Sequence, residues 1–118
     1  MNAFGEHLRA ARAARQTAEG GRYSLRQVAG RVGIEPAYLS KIERGETAPP
    51  SESTIRRLAF DLGEDPDVLL ALGGKVSADL VAVIRARPRL FADLIRALKD
   101  APEQAVLRVV REVRDGDW

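Results

Sequence analysis

The sequence predicts an all-α protein, and three observations support this. Sustained alternation of apolar and polar residues, which marks strands, is absent, and aromatic residues make up only 5% of the 118 residues. Ala, Leu and Arg, which favour helices, are abundant. Many prolines and glycines stand at the borders of segments whose apolar residues recur at helical spacing. We therefore expect helices joined by short loops.

Start and stop signals predict five helices in the first 74 residues. The first runs from about Asn2 to Arg15, and residues 16–23, with two glycines, form the loop after it. The next four each begin beside a capping residue or a proline and end beside a glycine: Ser24 to Gly33, Glu35 and Pro36 to Gly45, Ser51 or Ser53 to Gly63, and Asp65 and Pro66 to Gly73.

The glycines at 73 and 74 mark the predicted boundary between an N-terminal domain, residues 1–74, and a C-terminal helical segment, residues 75–118. That segment should hold three helices, Ser77 to Ala86, Pro88 to Lys99, and Pro102 to about Arg114. Charge is divided unevenly along the chain. Residues 1–57 carry ten basic and six acidic side chains, whereas residues 58–118 carry nine and eleven. The N-terminal half is therefore the candidate surface for a polyanion.

Several classes of function lack the residues that they need. The chain has no cysteine, so disulfides, thiolate zinc sites and cysteine nucleophiles are excluded. His7, the only histidine, lacks the partners of a metal site or a catalytic triad, and we expect it at the surface. No apolar run approaches a membrane span, and the start lacks the apolar core of a signal peptide. We expect no catalytic site, cofactor, metal or membrane partner, and a cytoplasmic location.

The most informative segment is residues 24–44, SLRQVAGRVGIEPAYLSKIER. Two helices that cross at a steep angle need a small side chain where they meet and a corner residue that tolerates positive φ. Ala29 and Gly33 meet those needs. The residues that face inward from the two helices and the turn between them are apolar: Val28, Val32, Ile34, Leu39 and Ile42.

This segment resembles the helix-turn-helix of the Xre, or lambda-repressor-like, family of transcriptional regulators. The similarity extends over roughly residues 4–72, through the IERGE ending and the proline-containing loop that follows. The resemblance implies a five-helix domain. The second helix of its helix-turn-helix enters the major groove of DNA. The chain departs from the family at Leu25, where a DNA-contacting Gln is common, and in a longer loop, QTAEGGRY.

The resemblance assigns base contacts to the start and outer side of the second helix, because Leu39 and Ile42 turn the other side inward. Ser40 can donate or accept, Lys41 can reach guanine acceptors, and the Ala37 methyl can pack on a thymine methyl. Glu35 is either a helix cap or a base reader. The predicted base-contacting residues are Glu35, Pro36, Ala37, Tyr38, Ser40 and Lys41.

Contacts with DNA phosphates position such a domain on the duplex but do not read the base sequence. The residues expected to make them are Ser24, Arg26, Gln27, Arg44 and Thr47. The resemblance also implies an ion pair between Arg12 and Glu43 that ties the first helix to the recognition helix. We therefore interpret Glu43 as structural.

Each of the last two predicted helices carries a stripe of apolar side chains, which must pack against another apolar surface. In the final helix the stripe is a row at i, i+3, i+4 and i+7, formed by Val106, Val109, Val110 and Val113. We favour a dimer seam over packing against the N-terminal core. Trp118 is either an exposed tail or an anchor in that seam.

These observations predict a sequence-specific, double-stranded-DNA-binding transcriptional regulator. Its simplest action is repression, as a homodimer on a palindromic operator. The alternative is an antitoxin or adaptor module whose C-terminal helices bind a partner protein.

Overall fold

The structure, a computed structural model, describes residues 3–118 and is all helical over that range, which confirms the predicted fold class. The predicted helix start at Asn2 lies outside the described residues. The eight helices of the described range are α1 (Ala3–Ala18), α2 (Leu25–Val32), α3 (Pro36–Glu43), α4 (Glu52–Leu62), α5 (Pro66–Leu72), α6 (Ala78–Ala86), α7 (Pro88–Leu98) and α8 (Glu103–Asp115). The chain divides into two compact units, Met1–Ser77 and Ala78–Trp118, three residues beyond the predicted boundary at residue 74.

Helix α1 is longer than the sequence predicted. It continues to Ala18 rather than ending at Arg15, because no glycine or proline follows Arg15 before Gly20. The extra turn also makes local bonds: Thr17 Oγ1 donates to the Ala13 carbonyl at 3.2 Å, and Arg15 pairs with Glu19 at 3.3 Å. The loop before α2 is therefore shorter than residues 16–23.

The N-terminal unit encloses one hydrophobic core to which all five of its helices contribute. The helix-turn-helix residues predicted to face inward are fully buried, except that Ile34 is partly buried. In α5 the buried pair is Leu69 and Leu70, whereas Val68 is 52% exposed. The core residues are Phe4, Leu8, Val28, Ala29, Val32, Leu39, Ile42, Ile55, Leu58, Ala59, Leu62, Leu69 and Leu70.

Helices α1 and α3 meet at Gly5, which is buried in the first turns of α1. A methyl group added there would lie 2.5 Å from the carbonyl oxygen of Ile42 and 2.6 Å from that of Glu43. Both atoms belong to the backbone of α3, so neither can rotate away. The position therefore requires glycine because of the approach of the two backbones.

The C-terminal unit consists of α6, α7 and α8, and the structure describes every one of its residues. None of the three helices contains a fully buried residue. Within the predicted valine stripe, Val110 and Val113 are 50% and 62% exposed. The Trp118 side chain is 91% exposed, yet its indole N–H donates to the Val113 carbonyl at 3.0 Å. The terminal indole therefore folds back on the end of α8.

Candidate nucleic-acid interface

The helix-turn-helix is built by local signals that α2 and α3 carry themselves. Ser24 Oγ accepts from the Gln27 backbone N–H at 3.1 Å, and the Gln27 side chain accepts from the Ser24 N–H at 3.0 Å. This capping box satisfies two donors at the start of α2. At the corner, Gly33 has φ of 84°, and its N–H donates to the Ala29 carbonyl at 2.8 Å. That conformation ends α2 and redirects the chain into α3.

Helix α3 presents a mixed polar and small outer side. Glu35, Ala37, Tyr38 and Lys41 are exposed, and the other two predicted base-contacting residues, Pro36 and Ser40, are half-buried. The Lys41 ammonium pairs with no carboxylate among residues 3–118. Glu35 occupies the N-cap position, but its side chain makes no capping bond. Of its two interpretations, the side-chain cap is therefore wrong.

The predicted phosphate-contacting residues lie at the start of α2 and around the end of α3. Arg26 is exposed and makes no ion pair within the described range. Ser24 and Gln27 are engaged in the capping box, although the Ser24 hydroxyl still has its proton to donate. Arg44 Nε lies 2.7 Å from Glu46 Oε2, with both side chains about half exposed. Thr47 is half-buried.

The Arg44 pair does not exclude a role in phosphate binding. A salt bridge between exposed side chains contributes at most about 1 kcal/mol. A phosphate oxygen offers the same guanidinium a charge-assisted bond of comparable or greater strength. Arg44 can therefore exchange Glu46 for a phosphate at little cost.

Arg12 and Glu43 join α1 to the end of the recognition helix through two parallel hydrogen bonds. Arg12 Nε lies 2.8 Å from Glu43 Oε2, and Arg12 Nη2 lies 2.9 Å from Glu43 Oε1. The Glu43 side chain is only 2% exposed. Hydrogen bonding to Glu43 raises the pKa of Arg12, against the lowering effect of burial. The carboxylate is thus turned away from any ligand, in agreement with a structural role.

A second fork-shaped pair joins α2 to α4, and sequence reasoning missed it. Arg31 Nε and Nη2 donate to the two carboxylate oxygens of Asp61 at 2.6 and 3.0 Å. These bonds to Asp61 raise the pKa of Arg31. The Arg31 guanidinium also lies 4.7 Å from the centre of the Tyr23 ring. No periodic signal links residues 30 positions apart, so only the packing of α2 on α4 reveals the pair.

Two partly exposed side chains of α1, Arg15 and His7, make defined contacts that sequence reasoning missed. Arg15 Nε donates to the Leu62 carbonyl at 2.9 Å, which satisfies an acceptor at the end of α4. Its guanidinium also lies 5.9 Å from the Tyr23 ring centre. His7 pairs with Glu64, and its side chain is 38% exposed. Both side chains remain more than one-third exposed, so His7 lies at the surface as expected, and the packing of α1 beside the α4–α5 corner gives both of them partners.

Comparison with known proteins agrees with this geometry. Residues 3–72 match the family model described as a helix-turn-helix domain, which covers more than half of the chain. The chain belongs to this family. The match confirms the resemblance to a helix-turn-helix regulator that the sequence predicts, and the boundaries of the match include the five helices of the N-terminal unit.

The chain is also similar to a curated protein. The chain is 36% identical over 78 residues to RghRB, an uncharacterised HTH-type transcriptional regulator of Bacillus subtilis strain 168. The aligned part covers 66% of this chain and 52% of the relative, so the chain spans about half the length of that protein. No solved structure matches the chain.

Membership of the family identifies the N-terminal unit as a helix-turn-helix domain. Domains of this kind bind DNA in transcriptional regulators, and regulators of this family are typically non-enzymatic. Among residues 3–118, no helix is both long enough and apolar enough to cross a membrane.

Proposed function

We propose that this protein is a sequence-specific regulator, a cytoplasmic repressor that binds a palindromic double-stranded DNA operator as a homodimer. The observation that carries the proposal is the outer side of α3, where Lys41 and Ala37 are exposed beside a fixed corner. The family match supports DNA binding by this unit. Repression follows most simply from occlusion of a promoter.

Base reading is assigned to one side of the helix-turn-helix and anchoring to its borders. Lys41 and Ser40 supply polar groups for base edges, and the Ala37 methyl supplies an apolar contact for thymine. Arg26 and Arg44 flank this side at the start of α2 and at the end of α3. Charged groups at those borders suit the two phosphate strands that line a major groove.

Exchange of Lys41 and Arg44 for alanine should separate these two roles. We expect Lys41→Ala to reduce discrimination at one base position by about 1 kcal/mol, because the lost group reads a base edge. Arg44→Ala should instead weaken binding to all sites alike and lower the slope of log K against log salt.

The measurement is selection of bound duplexes from a random pool, followed by titration of the enriched site across a salt series. Lys99→Ala, an exposed lysine of the C-terminal unit, is the charge-matched control. Wild-type site preference in Lys41→Ala, together with an unchanged salt slope in Arg44→Ala, would show that α3 is not the recognition helix.

The homodimer is proposed on the apolar faces of the C-terminal unit. The α8 stripe of Val106, Val109, Val110 and Val113 has two half-buried and two exposed members. In the preceding helix, α7, the apolar side chains of Leu90 and Ile95 are 66% and 57% exposed. Exposed apolar side chains on this scale are typical of association surfaces. The same surface is the observation that favours the alternative, an antitoxin or adaptor module.

A charge placed in the valine stripe should dissociate the dimer. We expect Val113→Asp to convert a dimer into a monomer, because a carboxylate in an apolar seam loses its hydration without a partner. The measurement is molar mass by light scattering, together with operator affinity. Arg111→Asp, at an exposed position of the same helix, should leave the dimer intact. A monomeric wild-type protein that co-purifies with another protein would support the adaptor instead.

A further inference from the structure

The loop between α1 and α2 carries a basic side chain, Arg22, which is neither a proposed base contact nor a proposed phosphate contact. Arg22 is exposed, and its guanidinium forms no ion pair within residues 3–118. It lies two residues before Ser24, the N-cap of α2. Two residues of extended chain span at most about 7 Å, so the Arg22 backbone lies close to Ser24, a proposed phosphate contact at the start of α2.

The backbone around Arg22 is held in place by side chains from two helices. Arg31 Nη1, from α2, donates to the Arg22 carbonyl at 2.8 Å. Arg12 Nη1, from α1, donates to the Tyr23 carbonyl at 3.3 Å. The Gln16 side chain accepts from the Tyr23 N–H. A loop fixed in this way presents its exposed side chain at a reduced entropic cost of binding.

Arg31 acts on the loop rather than on a ligand. Its guanidinium already bonds both carboxylate oxygens of Asp61 and lies against the ring of Tyr23. The remaining nitrogen, Nη1, is directed at the Arg22 carbonyl. The positive charge of Arg31 is therefore matched by Asp61, whereas Arg22, like Arg26, makes no ion pair among residues 3–118.

We propose that residues 19–24 form an arm that binds the DNA backbone through Arg22, with Arg31 as its positioning residue; this rests on the proposed function. Successive phosphates of one strand are displaced by about 3.4 Å along the duplex axis. A strand that contacts Ser24 and Arg26 therefore brings a neighbouring phosphate within reach of the long Arg22 side chain. The arm widens the phosphate-binding border of α2 without adding a base contact.

Arg22→Ala tests the arm on the enriched operator duplex. Each neutralised phosphate contributes about 0.9 to the slope of log K against log salt, so we expect the slope to fall by about 0.9 for each bound subunit. Base preference should stay that of the wild type. Arg89→Ala, at an exposed arginine of α7, is the matched control and should leave the slope unchanged.

Arg31→Met tests the positioning role. We expect its slope to match that of Arg22→Ala, and addition of Arg22→Ala in that background should produce no further fall. If the two substitutions lower the salt slope additively, or if Arg31→Met has the wild-type slope, the positioning role is wrong. A wild-type slope in Arg22→Ala would overturn the arm, whereas a wild-type protein that binds no duplex would overturn the proposed function itself. Because Arg22 is exposed, its variant tests the arm even if Arg31→Met fails to fold.

Discussion

Replacement of Arg12 by methionine is expected to lower the free energy of unfolding by about 3 to 5 kcal/mol. The substitution keeps much of the side-chain volume but removes both hydrogen bonds to Glu43, whose side chain is 2% exposed. The carboxylate is then buried with its main partner gone. Arg9 cannot replace it, because its Nε lies 3.8 Å from Glu43 Oε1 and its side chain is 61% exposed.

Urea denaturation measures this loss, and two further variants test its cause. Arg9→Met removes the weaker, exposed partner and should cost less than about 1 kcal/mol. The double variant Arg12→Met with Glu43→Met removes the charge together with its partner and should recover most of the loss. If the double variant is as unstable as Arg12→Met, loss of packing rather than the buried charge is responsible.

Replacement of Gly5 by alanine is expected to destabilise the protein by up to about 3 kcal/mol. Alanine normally stabilises a helix by about 1 kcal/mol relative to glycine. Here the added methyl would lie 2.5 Å from the Ile42 carbonyl oxygen, so α1 must move away from α3. The clash therefore opposes and exceeds the gain in helix propensity.

Gly30→Ala is the matched control for this change. Gly30 lies inside α2 and is exposed, and a methyl group there would have no atom within 4 Å. We expect this variant to be as stable as the wild type or to gain up to about 1 kcal/mol. Thermal unfolding of both variants gives the comparison. Equal melting temperatures would contradict the close approach of α1 and α3.

Both predictions concern the same joint, and the joint bears on DNA binding. Gly5 and Arg12 lie on α1, and each contacts the C-terminal end of α3. Base contacts require the recognition helix at a fixed angle, since hydrogen bonds weaken steeply when they are misaligned. Variants that loosen this joint should therefore lose site discrimination before they lose non-specific affinity. The phosphate contacts that support non-specific binding depend less on angle.

Most of the fold could be predicted from the sequence because its signals are local. Ser24, Gly33 and Ser51 cap their helices through contacts within a few residues, and those helix boundaries follow from the residue types. Helix α1 was predicted too short because arginine and glutamine are poor boundary signals, and only the glycines at 20 and 21 stop it.

The sequence by itself determined the helices, their order, the inward face of the helix-turn-helix and the family. Each depends on residues that are neighbours along the chain or share one helix face. The tertiary structure alone decided the contacts between distant residues: Arg31 with Asp61, Arg15 with the end of α4, His7 with Glu64, and the approach at Gly5. These contacts depend on how α1, α2, α3 and α4 pack, and side-chain spacing within one helix carries no information about its distance from another.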